Sequence, residues 1–104
     1  MRCNGNDPLA WVPVPYARET DQYVVYLGYL NGYAPDGSEE IIWIIQQPRK
    51  FAETMWTPMG DDLCRLAPQS LGREWRWYVE VVDAADGTRT PVSPPSPVWR
   101  FSWN

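Results

Sequence analysis

The chain has no histidine among its 104 residues, so acid–base work near neutral pH would fall to carboxylates. Two adjacent pairs offer themselves, Glu39-Glu40 and Asp61-Asp62. Both lie in polar, turn-like surroundings where neighbouring side chains diverge into solvent, whereas a hydrolytic pair must face across a cleft at about 5–9 Å. No glycine-rich phosphate loop and no nucleophile elbow accompany them. The residues argue against an enzyme, and a fragment of a carboxylate-based hydrolase is the least favoured reading. Asp61, Asp62, Asp83 and Asp86 carry oxygens that calcium accepts, but their spacing fits no calcium loop, and a turn with Gly87 already accounts for Asp86. Neither a metal nor another cofactor is expected. Cys3 and Cys64 are the only cysteines, and they are either two unrelated thiols or one bridge.

Aromatic side chains supply the richest chemistry, with seven tryptophans, six tyrosines and two phenylalanines. Trp11, Tyr23, Trp75, Trp77, Trp99 and Phe101 fall on apolar faces and are assigned to packing. Tyr26, Tyr29, Tyr33, Trp43, Trp56 and Tyr78 exceed what one interior holds. Rigid aromatic rings held at a surface suit the apolar faces of sugar rings, because little side-chain entropy is lost on stacking. Trp43 and Trp56, in a segment 41–57 read as an edge hairpin, are the candidate ligand-binding residues, with Tyr29 and Tyr33 extending the strip. The competing reading has one indole capping the core and the other packed beneath the long connection 57–72.

The elements that position these groups read as strands. In 72–83, Trp75, Trp77, Val79 and Val81 alternate with Glu74, Arg76, Tyr78 and Glu80, the pattern of a half-buried strand. Asp86-Gly87 then marks a hairpin turn. The return, 88–103, is interrupted by Pro91, Pro94, Pro95 and Pro97, which guard an edge, and ends with Trp99, Phe101 and Trp103 on one face. Upstream, Leu9 to Pro15 is a short strand limited by prolines, and 22–30 places Tyr23, Val25, Leu27 and Tyr29 together. Ile41 to Ile45 is a strand with two apolar faces and hence an undetermined register. Pro48 ends it, and 51–57 forms a shorter strand. Residues 1–8 are loop, and 63–71 is a connection that tucks one or two leucines under the core.

Length and charge set the outer limits. A chain of 104 residues is one domain, able to bury about 60–65% of its unfolded surface. Eleven prolines and seven glycines suit short strands and tight turns. The net charge of -4 removes the basic footprint of nucleic-acid binding. No apolar run reaches the roughly 20 residues of a membrane helix, so this segment is not expected to insert. A final strand ending one residue before Asn104 suggests a module cut from a longer chain with neighbouring domains.

Gly72, Trp75, Trp77, Val79, Val82, Asp83, Gly87, Ser93, Ser96, Trp99 and Phe101 follow the tail pattern of bacterial fibronectin type III-like modules, and the chain resembles that family. Leu9-x-Trp11 and Tyr23-x-Val25-x-Leu27 are similar to its second and third strands. The resemblance spans 9–103 in outline and is most specific in the last third. It implies an all-β fold, an antiparallel two-sheet β-sandwich of six to seven strands occupying 1–104 as a single domain. It also implies a non-catalytic structural or interaction module, a spacer, adhesion or protein-binding unit, of a larger secreted or cell-surface bacterial protein. The alternative is a carbohydrate-binding module, so the partner is a protein or a polysaccharide. In the implied topology Cys3 and Cys64 approach at one end of the sandwich. A bridge there would close about 60 residues, stabilise by roughly 4 kcal/mol and mark an oxidising, extracellular compartment.

Overall fold

A computed structural model describes residues 8–13, 20–50, 52–58, 63–83, 90–91 and 96–103. Among the described residues seven strands run in chain order: β1 (Leu9–Ala10), β2 (Asp21–Tyr33), β3 (Glu39–Lys50), β4 (Met55–Trp56), β5 (Glu74–Asp83), β6 (Thr90–Pro91) and β7 (Trp99–Ser102). They form two antiparallel sheets. β2 lies between β3 and β5, and β5 also pairs with β6 near its end and with β7 near its start. β1 and β4 form the second, two-stranded sheet.

Alternation along β2 and β5 decides which face is buried. Tyr23, Val25, Leu27 and Tyr29 stand opposite Val81, Val79, Trp77 and Trp75, and same-face cross-strand neighbours of this size pack against one another. Trp77 is 7% exposed, as its pattern predicts. Leu9 joins this core, and Trp11, Trp56, Ile45 and Phe101 pack against it. The small sheet and the large one therefore share one apolar interior. Trp11 N–H donates to Thr54 O at 3.0 Å and prolongs the β1–β4 ladder. The far side of the large sheet is not uniformly polar, because Val24, Leu30 and Val82 are buried there too.

The returning segment is fastened to β5 between its two strands. Ser96 N–H donates to Val79 O, and Val79 N–H donates to Ser96 Oγ, both at 2.8 Å. Trp99 and Phe101 then lie opposite Trp77 and Trp75, with Trp99 tilted on Trp77 at 4.5 Å.

Several sequence expectations need correction. Segment 41–57 is not one hairpin, because β3 belongs to the large sheet and β4 to the small one. Pro48 does not end β3, since an edge strand has amides that no ladder uses and tolerates proline there. The first strand contains only Leu9–Ala10 of the expected 9–15, and 14–15 lie outside the described residues. β2 runs beyond the expected 22–30 to Tyr33, and the β2–β3 turn is tight, with Gly37 at φ 87° and Asp36 accepting from Ser38 N–H and Oγ–H. In the connection to β5, Leu63 packs against the core as expected, while the 3-10 turns Cys64–Leu66 and Gln69–Leu71 follow it, with Cys64 and Ala67 buried and Leu66 exposed. The small side chains go inward because the turns pass close to the core.

Candidate functional site

The large sheet carries an aromatic and ionic cluster on the face away from the core. Tyr26 of β2 lies in register with Tyr78 of β5, and Gly28 with Arg76. The two phenol rings stack at 4.5 Å with 12° between their planes. On the other side Gly28 pairs with Trp43 of β3. The indole meets Tyr78 edge-on at 5.0 Å, so it spans β2 from β3 to β5. Gly28 is what permits the crossing. A Cβ there would stand 2.6 Å from Ile42 O, 2.9 Å from Trp43 Cε3 and 3.0 Å from Ile41 Cγ2.

A bulge turns Trp43 to this face. The pairing passes from Leu27–Ile45 to Gly28–Trp43, leaving Ile44 as an extra residue in β3. One inserted residue reverses the facing of everything beyond it. Ile45 accordingly packs inward, while Trp43 remains 42% exposed on the outer face.

Arg76 is nearly buried, and its fork is filled. Nε donates to Glu39 Oε1 at 3.2 Å, Nη2 to Glu39 Oε2 at 2.6 Å, and Nη1 to Trp75 O at 2.9 Å. Glu74 adds an oxygen at 3.6 Å. Bidentate charge-assisted pairing is the arrangement that makes a buried guanidinium tolerable. The hydrogen bond from Arg76 holds the Glu39 carboxyl below its ordinary range, and the same bond raises Arg76. Burial, then the nearby Glu80 carboxylate, pushes the Tyr78 phenol up. Tyr26 O–H donates to Glu80 Oε1 at 3.3 Å. Glu39 thus stays ionised as an ion-pair partner, a state unsuited to a general acid. This face presents flat rings set among internally paired charges.

The four candidate ligand-binding residues are not gathered into one strip. Trp43 is on the outer face. Tyr29 lies on the inner face against Trp75, with ring centres 5.5 Å apart. Trp56, in β4, packs against the core from the small sheet. Tyr33 is 58% exposed at the end of β2, opposite Glu39. Of the carboxylate groups, Asp83 ends β5 opposite Asp21, while Asp61, Asp62 and Asp86 lie outside the described residues. Among the described residues no three His, Cys, Asp or Glu come together as metal ligands, and no helix is long and apolar enough to cross a membrane. Cys64 is buried and disulfide-bonded, and Cys3 lies outside the described residues.

Two unused signals for this face stand in the residues themselves. Gly28 interrupts an otherwise bulky strand, which marks a close approach. Tyr26 and Tyr78 share the parity of the polar face on their strands. Nothing local pairs Arg76 with Glu39, since that contact depends on register across three strands. Set against models of known protein families, curated protein sequences and solved structures, the chain matches none.

Proposed function

We propose that this chain is a non-catalytic interaction or structural module of a larger bacterial secreted or cell-surface protein. Its two sheets are the layers of a fibronectin type III-like sandwich. The W-x-W-x-V run facing β2, the Ser96 clamp on Val79 and the return of Trp99 and Phe101 onto β5 support the fold reading. The function reading is carried by a division of the aromatic residues. Trp75, Trp77 and Trp103 are consumed by the interior, whereas β3 keeps Ile42, Trp43 and Ile44 each about 40% exposed. Apolar side chains left exposed along one edge strand, on both of its faces, are a mark of a docking edge. The disulfide on Cys64 supports the compartment, because such bonds persist where the surroundings are oxidising.

A second reading, carbohydrate binding, is favoured by one observation. Trp43 is braced on Tyr78 over Gly28 and so forms a rigid platform. Titration with soluble polysaccharides, followed by tryptophan-resolved NMR, separates the two. The module reading predicts an unmoved Trp43 indole signal at millimolar ligand. A saturable shift of Trp43, lost in Tyr78→Ala, would replace it with the carbohydrate reading.

A further inference from the structure

We infer that β3 docks a second copy of this chain, the two β3 strands lying antiparallel and edge to edge. The strand is twelve residues long and, among the described residues, bonds to β2 alone. Ile42 and Ile44 in its middle are 40% and 38% exposed, more apolar surface than a free edge ordinarily shows.

The two ends of β3 carry opposite charge, Glu39-Glu40 at its start and Arg49-Lys50 at its finish. Laid antiparallel about the midpoint between Ile44 and Ile45, two copies set Glu39 opposite Lys50 and Glu40 opposite Arg49, contacts shared with Arg76 on Glu39 and with Glu53 on Arg49 inside each chain. Ile42 then meets Gln47, and Ile44 meets Ile45. Two-fold symmetry makes each ionic match occur twice. A parallel arrangement would bring like charges together, which is unfavourable for facing strand residues. An unrelated strand would need the same apolar centre with complementary ends, and an identical strand has them by construction.

Pro48 and the bulge at Ile44 limit the ladder. Pro48 has no N–H to donate, so continuous main-chain pairing is confined to 42–47, and the exposed side chains supply the remaining contact. Because the pairing uses each β3 edge once, it closes at a dimer rather than growing into a fibre.

This inference names a partner for the interaction role proposed above and rests on that reading. Sedimentation velocity from micromolar to millimolar protein tests it. The expected result is a concentration-dependent dimer that Glu40→Lys alone and Arg49→Glu alone each weaken by about tenfold. An equimolar mixture of the two variants should recover dimer, since reversed charges then face their complements at both ends. In the unaltered chain, the amides of 42–47 should exchange more slowly with deuterium as concentration rises. A monomer at every concentration, a dimer indifferent to both substitutions, or a mixture that does not recover would overturn the pairing. Those outcomes remove the second copy as partner, whereas the module role itself stands or falls on the indole titration.

Discussion

Substituting Gly28 with alanine should destabilise this domain, although glycine in a strand interior is ordinarily the weaker residue. Gly28 has no positive φ, so its backbone conformation suits alanine, and a compatible glycine-to-alanine change stabilises by about 0.4–1 kcal/mol through the unfolded chain. Space reverses the sign. The added Cβ would stand 2.6 Å from Ile42 O and 2.9 Å from Trp43 Cε3. The carbonyl belongs to the neighbouring strand and cannot move without opening the β2–β3 ladder, so overpacking costs about 1–3 kcal/mol. Combining the two terms leaves a net loss of about 1–2 kcal/mol. Equilibrium urea unfolding measures the change, and the Trp43 indole NMR signal should move with it. In a Trp43→Ala background the loss should shrink only in part, because the contact with Ile42 O remains. A neutral or stabilising Gly28→Ala would refute the close crossing of Trp43 over β2.

Two further outcomes follow from the buried polar groups. Glu39→Gln leaves the Arg76 guanidinium, whose side chain is 4% exposed, with only the Glu74 carboxylate at 3.6 Å as countercharge. Breaking a fully buried pair costs about 3–5 kcal/mol, and because Glu39 is itself 32% exposed the expected loss is about 1–2 kcal/mol by urea unfolding. The folded Glu39 carboxyl lies below its ordinary value, so its contribution is whole above the unfolded glutamate value of about 4.3 and is lost as pH falls through the lower folded value. Glu39→Gln should therefore flatten the decline of stability below about pH 4.3, and an unchanged acid limb would dissociate Glu39 from Arg76. Thiol titration of the unfolded, unreduced protein should find no free thiol, and two reactive thiols would remove the proposed Cys3–Cys64 bridge and the extracellular argument with it.

The buried half of the fold was legible because large apolar residues recur at alternate positions of β2 and β5, even though Val24, Leu30 and Val82 are buried on the other face. Tyr23, Val25 and Leu27 against Trp77, Val79 and Val81 state their face twice over. The same alternation placed Tyr29 inside, and that parity outweighs its candidacy as an exposed ring. Ile41 to Ile45 gave no such direction, since both of its faces are apolar and a bulge at Ile44 reverses the facing midway. The assignment of Trp56 to a second sheet is a tertiary choice that residues 51–57 do not encode locally. Arg76 and Glu39 are 37 residues apart, and only the three-strand register brings them into contact.

Trp75, Trp77 and Trp103 are buried in the core, whereas Trp43 stays exposed on the outer face of the large sheet. Equilibrium unfolding of Trp77→Ala beside Trp43→Ala tests that division most directly. Trp77 is 7% exposed in the shared core and Trp43 is 42% exposed on β3. Losses of about 3–5 kcal/mol for Trp77→Ala and no more than about 1–2 kcal/mol for Trp43→Ala are predicted. Equal losses, or a larger one at Trp43, would contradict it.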